Sequence, residues 1–389
     1  MNGNSSKAEL PNCPALYSRA VGELAPISLS ALPEPSPQTT LLNGRLPEGF
    51  PTILYGDGGQ GKSYLALALA TGIASGKGLG GISLPKGVSL YLDWELSLNE
   101  QLRRAYRVAR GFGLSEPPRD LLYLEPPRSL PHVAGQLKDL IEKNNVSFIV
   151  VDSFGPACGT NPEAADEMIR FFAVIRSLHV TTLLLDHQSK LQEGQSSTKK
   201  TPFGSAYKFN LARSVLHLER VGTASGELKV FLRHTKSNLG PLCDDLALRF
   251  NFRDNSLQIT EADMKSDSDF QNHLTIEEKI LQAIERDGEA TAEVLGQRTG
   301  IPAKTISNTL PKLKKAGKVV ETGKDRRKLI WGLASNRPKS NPYRAGELGD
   351  SASDLYDSET TTNSNPSHHN GNNADTLGII NEPDYPCGG

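Results

Sequence analysis

The chain has 389 residues, with 43 lysines and arginines against 44 aspartates and glutamates, and a hydrophobic fraction of 37%. This length can hold two or three domains with a sizeable core, and the near-zero net charge favours no class of partner. Four widely spaced cysteines include no C-x-x-C pair, so they predict neither a zinc site nor a disulfide framework. The first residues lack an apolar signal core and no apolar stretch approaches membrane-spanning length, so we expect a soluble cytoplasmic protein without a membrane partner.

The first elements in chain order are a flexible lead-in and then an α/β domain. Residues 1–40 are rich in proline and serine, and the stretch LPEPSPQTT has neither a helical nor a strand period. Beyond it, the strand-like runs TILYG, VSLYLDW, VSFIVVD and VTTLLLD alternate with amphipathic stretches. This alternation predicts a mostly parallel sheet covered on both faces, which β-rich runs after residue 204 extend as antiparallel strands. We place this α/β domain at residues 41–262.

A glycine-rich stretch, ILYGDGGQGKSYLAL at residues 53–67, follows the first of these strands. Its spacing is G-x-x-x-x-G-K-[ST], the pattern of a phosphate-binding loop between a strand and a helix. Glycines permit positive φ and let backbone N–H groups close on an anion, which the helix N-terminus also attracts. Lys62 is expected to reach the β and γ phosphates of ATP or another nucleoside triphosphate, and Ser63 to bind Mg²⁺. The predicted nucleotide-binding residues are Gly56, Asp57, Gly58, Gly59, Gln60, Gly61, Lys62, Ser63 and Tyr64.

Acidic residues end two of the later strand-like runs. SFIVVDS leads to Asp152, and its distance downstream of the glycine-rich loop favours a carboxylate that supports the Mg²⁺ shell. SLYLDWE ends with Asp93 and Glu95, which could also be solvated acids at a strand end. Phosphoryl transfer depends mostly on positioning and charge stabilisation, so a second acidic group that orients water is expected near the phosphates.

These motifs resemble the RecA/DnaB superfamily of P-loop ATPases. Glu95 takes the position of the catalytic base in that superfamily, and in LLLDHQSK either His187 or Gln188 takes that of the γ-phosphate sensor. The resemblance narrows to the RepA-like branch, hexameric replicative helicases and related ATPases of plasmids, phages and other mobile elements. Three stretches carry it: LLNGRLPEGFPTILYGDGGQGKS, FGSAYKFNLARSVLHLE and RHTKSNLGP. The implied fold is a RecA-like core, with Glu95, Lys62 and His187 as catalytic groups.

The resemblance also implies a ring in which a neighbouring subunit supplies a basic finger to the transferring phosphate. The candidates are Arg213, Arg233 and Lys236, each of which could instead be an ordinary surface charge. KSNLGP resembles the helicase stretch K-x-R-x-G-P, but Asn238 stands where the finger arginine is expected. Without such a cation hydrolysis would be slow, because a finger accelerates it roughly a thousandfold or more.

A polar loop, QSKLQEGQSSTKKTP, follows the sensor strand. In a ring it would face the central channel, where Lys199 and Lys200 could track the phosphates of a single DNA strand. A solvated surface loop is the alternative reading of the same composition.

The remainder of the chain is predicted as a linker at residues 263–273, a small domain at 274–333 and a disordered polar tail at 334–389. The small domain resembles a winged helix-turn-helix, with Gly300 in the turn and a recognition helix from Pro302 to Ala316. Pro311 lies inside this helix, where a proline removes one hydrogen bond and tends to kink the backbone. The predicted DNA-binding residues here are Lys304, Thr305, Ser307, Asn308, Lys324, Arg326, Arg327 and Lys328. Winged helices also serve as protein-contact modules, which stays the alternative.

Two functions from different classes fit these features. The first is an ATP-driven motor, a hexameric replicative helicase of a mobile element. Its cofactors would be ATP and Mg²⁺. Its partners would be single-stranded or duplex DNA and a primase or initiator. The second is a DNA-binding regulator or assembly ATPase that ATP switches, without helicase activity. A small-molecule kinase is weaker, because no acceptor-binding lid is recognisable.

Overall fold

A computed structural model of the chain describes residues 28–334, except residues 160, 162–163, 189–205 and 265. The predictions for the lead-in before residue 28, for Lys199 and Lys200, and for the tail after residue 334 lie outside these residues. Within the described part, no helix combines the length and apolar composition needed to cross a bilayer.

The secondary structure alternates between strands and helices up to residue 187. The strands are β1 (Thr40–Leu41), β2 (Leu46–Pro47), β3 (Pro51–Gly56), β4 (Val88–Asp93), β5 (Leu121–Leu124), β6 (Val146–Asp152), β7 (Thr181–His187), β8 (Ser214–Ala224), β9 (Glu227–Ser237), β10 (Leu246–Arg253), β11 (Ser256–Glu261), β12 (Val319–Asp325) and β13 (Lys328–Leu333). The helices are α1 (Lys62–Ser75), α2 (Leu98–Gly111), α3 (Leu130–Asn144), α4 (Phe154–Cys158), α5 (Ala165–Ser177), α6 (Ala206–Leu211), α7 (Ser268–His273), α8 (Ile276–Asp287), α9 (Ala292–Thr299) and α10 (Ala303–Lys315).

The central sheet of the described residues has nine strands in the order β11-β10-β9-β8-β3-β7-β6-β4-β5. Neighbours from β8 to β5 run parallel, and β8 to β11 pair antiparallel. This confirms the predicted fold class, a mostly parallel α/β sheet extended by antiparallel strands. The parallel strands are apolar runs because both their faces are covered, by α1 and α2 on one side and by α3, α4 and α5 on the other.

The carboxyl ends of the parallel strands meet at one edge of the sheet. Gly56 at the end of β3 lies in register with His187 at the end of β7, and Asp93 of β4 with Asp152 of β6. Open α/β sheets bind ligands at this edge, so the topology gathers most of the predicted catalytic and metal-binding residues in one place.

The connection between the two domains is more ordered than its polar composition predicts. The segment predicted as a linker contains α7, whose Phe270 is buried against Phe231 of β9 with ring centroids 5.1 Å apart. Lys229 of β9 ion-pairs with Asp267 at 2.7 Å and with Asp269 at 2.8 Å. One aromatic residue and well-placed acids are enough to dock the segment on the sheet, although its average composition is that of a loop.

The C-terminal unit is the predicted winged helix. Helices α8, α9 and α10 enclose a core with the β12–β13 hairpin, and Ala290 forms a bridge to Trp331 of β13. The helix α8 begins with a capping box between Thr275 and Glu278, and Gly300 ends α9 with a φ of 71°. The recognition helix α10 runs from Ala303 through Pro311 to Lys315, so Pro311 does not shorten it.

Candidate active site

The glycine-rich loop between β3 and α1 requires glycine at particular positions, either because of the backbone conformation there or because of the atoms packed against them. Gly59 and Gly61 have φ of 73° and 90°, in the left-handed region that glycine tolerates best. A Cβ on Gly61 would lie 2.5 Å from Cε2 of Phe250 on β10, and one on Gly56 would lie 2.5 Å from the Leu218 carbonyl oxygen. The antiparallel extension of the sheet therefore packs directly behind the loop and sets its shape.

The ammonium of Lys62 is buried inside this loop. Its Nζ donates hydrogen bonds to the carbonyl oxygens of Gly56 and Asp57, both at 2.9 Å. Burial lowers the pKa of Lys62, while the negative charges of Asp152 and Glu95 act in the opposite direction. The lysine is thus a cation held beneath the loop by backbone carbonyls, at the place where the motif puts the phosphates.

Asp152 offers hard oxygen ligands next to Ser63. Asp152 is 4% exposed, and Tyr91 donates a hydrogen bond to its Oδ2 at 2.6 Å. Burial raises the pKa of Asp152, and the neighbouring hydroxyls of Tyr91 and Ser63 lower it. A carboxylate and a hydroxyl suit Mg²⁺, which usually takes one or two protein side chains plus substrate phosphates and water. Among the described residues, no group of three or more His, Cys, Asp or Glu side chains could hold a metal ion by itself.

Glu95 and His187 face each other at the same edge. The distance from His187 Nε2 to Glu95 Oε1 is 3.6 Å, and both side chains are partly exposed to solvent. Ser153, which follows Asp152 through a cis peptide bond, donates a hydrogen bond from its hydroxyl to Glu95 Oε1. The motif analysis did not single out Ser153, although a polar residue directly after the strand-end aspartate is a signal that could have found it.

The alternative sensor residue, Gln188, has different contacts. Its backbone N–H donates to the Gly56 carbonyl at 3.2 Å, and its Oε1 lies 2.9 Å from Nε2 of His217. The imidazole of His217 in turn stacks on Tyr55, with ring centroids 4.7 Å apart. Gln188 is therefore tied to the loop strand, and His187 is the residue that reaches Glu95.

A buried ion pair lies behind the sensor strand and was not predicted. Lys208 of α6 contacts both carboxylate oxygens of Asp186 on β7, at 3.1 and 3.3 Å, and its Nζ lies 4.4 Å from the centre of the Phe154 ring. Both charged side chains are almost completely buried. The ion pair fixes the position of Asp186, the residue directly before His187.

Replacement of Lys208 by methionine is expected to lower the free energy of unfolding by roughly 3–5 kcal/mol, because it leaves the Asp186 carboxylate buried without its cation. The double variant Asp186→Asn/Lys208→Met should recover most of that loss. Urea unfolding of the full chain measures both, with Lys138→Met as the control, since the exposed Lys138 pair with Glu142 contributes about 1 kcal/mol or less. Equal losses in the single and double variants would contradict this view of the pair.

Of the finger candidates, Arg233 is bound within its own chain. Its guanidinium ion-pairs with Glu219 of β8 at 2.8 Å and with Asp245. It also lies 3.8 Å from Glu278 of α8 and stacks over the Phe231 ring. These contacts make Arg233 a link between the sheet and the winged helix.

The other two candidates lie at the opposite edge of the sheet from the glycine-rich loop. Lys236 donates hydrogen bonds to carbonyl oxygens at the end of α6, including Asn210 at 3.0 Å and Ala212 at 2.8 Å. Arg213 directly precedes β8, and its guanidinium has no carboxylate partner among the described residues. The exposed Asn238 donates its backbone N–H to the Arg213 carbonyl at 2.9 Å. Arg213 and Asn238 thus share one corner of the molecule.

The Arg233 cluster makes stability depend on pH. Burial raises the pKa of Asp245 to about 7, against the attraction of Arg233 and assisted by the neighbouring Glu278. An acid whose folded pKa is raised stabilises the fold below its unfolded pKa of about 3.9, and this contribution is lost as the pH rises through 7. We expect the free energy of unfolding to fall between about pH 4 and pH 8. In Asp245→Asn the free energy of unfolding should change less steeply with pH over this range. Asp244→Asn is the matched control, because that carboxylate is exposed; an unchanged slope in Asp245→Asn would refute the assignment.

A basic cleft of about 480 Å³ begins beside Ser63, at Tyr64. The Arg104 guanidinium lies 5.2 Å from the centre of the Tyr64 ring, and Arg107 Nη1 lies 3.4 Å from its hydroxyl. Asn255, in the turn between β10 and β11, also lines the cleft, and its Oδ1 accepts a hydrogen bond from Arg107 at 3.4 Å. The cleft therefore runs along α2 from the first turn of α1.

The predicted DNA-binding residues of the winged helix form an exposed surface. Lys304, Ser307 and Asn308 are exposed along α10, whereas Thr305 is half-buried. In the hairpin, Lys324, Arg326, Arg327 and Lys328 are exposed. Lys328 ion-pairs with Glu293 of α9 at 2.9 Å, so part of its charge is already compensated.

Two family models match the chain. One describes an AAA domain and matches residues 23–193, and the other describes a winged helix-turn-helix DNA-binding domain and matches residues 274–320. Residues 23–193 are thus similar to an AAA domain, and residues 274–320 to a winged helix-turn-helix. The first match supports nucleotide binding, and the second is to a DNA-binding fold.

The individual similarities are more distant. The DNA repair protein RadA of Chlamydia pneumoniae is 26% identical to this chain over 212 residues, which are 54% of the chain and 41% of that protein. The chain therefore spans less than half the length of this relative. Among solved structures, a KaiC-like protein from Pyrococcus horikoshii OT3 covers 59% of the chain and is itself covered completely, with 15% identity and a TM-score of 0.41.

Proposed function

We propose that this P-loop ATPase hydrolyses ATP to drive movement on DNA, as a replicative helicase of a plasmid, phage or integrative element. One observation carries the proposal: Lys62, Asp152, Glu95 and His187 converge at the carboxyl edge of the sheet, beside the glycine-rich loop. Those are the groups that ATP hydrolysis needs for phosphate binding, metal support, activation of water and sensing of the γ-phosphate.

The chemistry assigned to the residues follows from their contacts. The Glu95 carboxylate would orient and polarise the attacking water, with Ser153 and His187 both next to its Oε1. Lys62 would exchange its carbonyl partners for the phosphates. Ser63 and Asp152 would hold Mg²⁺, which neutralises charge on the phosphates when it is bound. The base and ribose would lie in the cleft between Tyr64 and α2, where an aromatic ring and guanidinium groups can stack on a base.

The positions of the finger candidates support a head-to-tail ring. Arg213 lies at the sheet edge opposite Gly56, and its backbone N–H donates to the Pro51 carbonyl at the start of β3. A residue on that edge cannot reach its own phosphate site, but a heterologous interface brings it to the site of the next subunit. We propose a homohexamer in which Arg213 is the finger, because Lys236 and Arg233 are held within the chain.

The DNA contacts are assigned by charge and exposure. Exposed residues of α10 would enter a duplex groove, while the hairpin arginines would bind phosphates, which supply most non-specific affinity. A single strand in the ring channel would be tracked by Lys199 and Lys200. A primase or initiator is the partner that replication would require.

The alternative is a DNA-binding regulator that ATP switches. It is favoured by Asn238, which replaces the expected finger arginine, and by Lys236, whose ammonium is already satisfied by carbonyl groups. In that case the winged helix would bind a specific duplex site, and the ATPase domain would hydrolyse ATP slowly and hold the assembly on DNA.

Measurement of ATP hydrolysis by the purified chain separates these functions. The assay is run without DNA, with mixed-sequence single strands and with duplex DNA. We expect single strands of any sequence to stimulate turnover strongly, and Lys62→Ala to abolish it because the phosphates lose their buried cation. Slow turnover that single-stranded DNA does not stimulate would instead favour the regulator. No hydrolysis beyond that of Lys62→Ala under any condition would refute ATPase activity itself.

A further inference from the structure

The turn that presents Glu95 is built around the carboxylate of Asp93. Asp93 is the last residue of β4, and its side chain is 2% exposed. Its Oδ1 accepts hydrogen bonds from the backbone N–H groups of Glu95 and Leu96, both at 2.9 Å. An aspartate that bonds the backbone two and three residues further on fixes the direction in which the chain leaves the strand.

The other residues of this turn are also tied down. The Trp94 backbone N–H donates to the Asp152 carbonyl at 2.7 Å, which joins the ends of β4 and β6. The Trp94 indole donates to the Arg128 carbonyl at 3.2 Å, and the Tyr123 hydroxyl lies 3.4 Å from the Leu96 carbonyl oxygen. Only Asp93 binds the backbone of Glu95 itself among the described residues.

These contacts explain how a partly exposed glutamate can keep one orientation. Among the described residues, Ser153 alone donates a hydrogen bond to its carboxylate and His187 lies 3.6 Å away, so we assign the rest of its positioning to the backbone. A displacement of about 1 Å at a catalytic group can cost roughly a hundredfold in rate.

We propose that Asp93 is a positioning residue for ATP hydrolysis, whose Oδ1 holds the backbone of Glu95 so that its carboxylate meets the attacking water. The inference rests on the proposed role of Glu95. It concerns the acceptor at Oδ1 and not the charge of the carboxylate, which separates it from a role in binding Mg²⁺ or phosphate.

The decisive comparison is between Asp93→Asn, which keeps an oxygen acceptor, and Asp93→Ala, which removes it. We expect Asp93→Ala to lower kcat by about 10- to 100-fold with little change in KM for ATP, and Asp93→Asn to stay within about threefold of the unmodified chain. If Asp93→Ala does not fold, Asp93→Leu fills the same space without an acceptor and takes its place. In the double variant with Glu95→Gln, removal of Oδ1 should cause no further loss, because both changes act on one group.

A second readout does not depend on catalysis. Trp94 lies inside the turn, and the chain has two tryptophans, the other being Trp331 in the core of the winged helix. Loosening of the turn should increase acrylamide quenching of the Trp94 fluorescence in Asp93→Ala and leave it unchanged in Asp93→Asn, with Trp331→Phe as the background that isolates the signal.

The outcomes separate this inference from the proposed function. Normal kcat in Asp93→Ala, equal losses in Asp93→Asn and Asp93→Ala, or a multiplicative loss in the double variant would overturn the role of Asp93. If the unmodified chain does not hydrolyse ATP, the proposed function fails, and the quenching comparison still decides whether Asp93 holds the turn.

Discussion

Replacement of Glu95 by glutamine is expected to lower ATP turnover by roughly a thousandfold, within the range that a general base contributes, and to leave ATP binding intact. Glutamine keeps the size of the side chain and an oxygen that accepts the Ser153 hydroxyl, but it cannot take a proton from water. The loss should therefore appear in kcat. Phosphate release measures turnover, and titration with a fluorescent ATP analogue measures binding.

Glu142 offers the matched control. It lies on α3, away from the cleft, and its exposed carboxylate pairs with Lys138 at 3.9 Å. Glu142→Gln should hydrolyse ATP at the rate of the unmodified chain. Persistent hydrolysis in Glu95→Gln would remove Glu95 from the mechanism, and a loss of ATP binding in that variant would show that its effect is not on the chemical step.

Replacement of Gly61 by alanine is expected to remove ATP binding and to destabilise the ATPase domain. The residue has a φ of 90°, where a side chain costs about 1–2 kcal/mol. The added Cβ would also lie 2.5 Å from Cε2 and 3.0 Å from Cδ2 of Phe250, a degree of overpacking that typically costs a further 1–3 kcal/mol or so. We expect the free energy of unfolding to fall by about 2–5 kcal/mol, the sum of these costs, and ATP affinity to fall with the loop geometry.

The control for this change is Gly135→Ala. Gly135 lies in α3, where a Cβ would meet nothing within 4 Å, and alanine stabilises a helix interior by roughly 0.5–1 kcal/mol relative to glycine. A second test replaces Phe250 with leucine in the Gly61→Ala background, since relief of the contact should restore part of the stability. No difference between Gly61→Ala and Gly135→Ala in urea unfolding would show that the loop does not need its left-handed glycine.

Much of the candidate site could be predicted because its parts are local. The spacing from Gly56 to Ser63 is itself the phosphate-binding geometry, since consecutive backbone N–H groups and the start of a helix form it. Asp152 and Glu95 were predicted because Asp152 ends a buried strand and Glu95 takes the position of the catalytic base in the family that the motifs resemble. The structure places both at one edge, since parallel strands end at the same edge of a sheet. The winged helix followed from apolar spacing in the same way.

The sequence by itself therefore determined the fold class, the glycine-rich loop between β3 and α1 and the strand ends that carry the acidic residues, because period and motif are properties of neighbouring residues. Only the tertiary structure decided which of these residues touch. It paired Glu95 with Ser153 and His187, buried Lys208 against Asp186, and tied Arg233 to three carboxylates. Such contacts join residues 12 to 92 positions apart, and the energy of a charged group depends on burial and partners that no local pattern records.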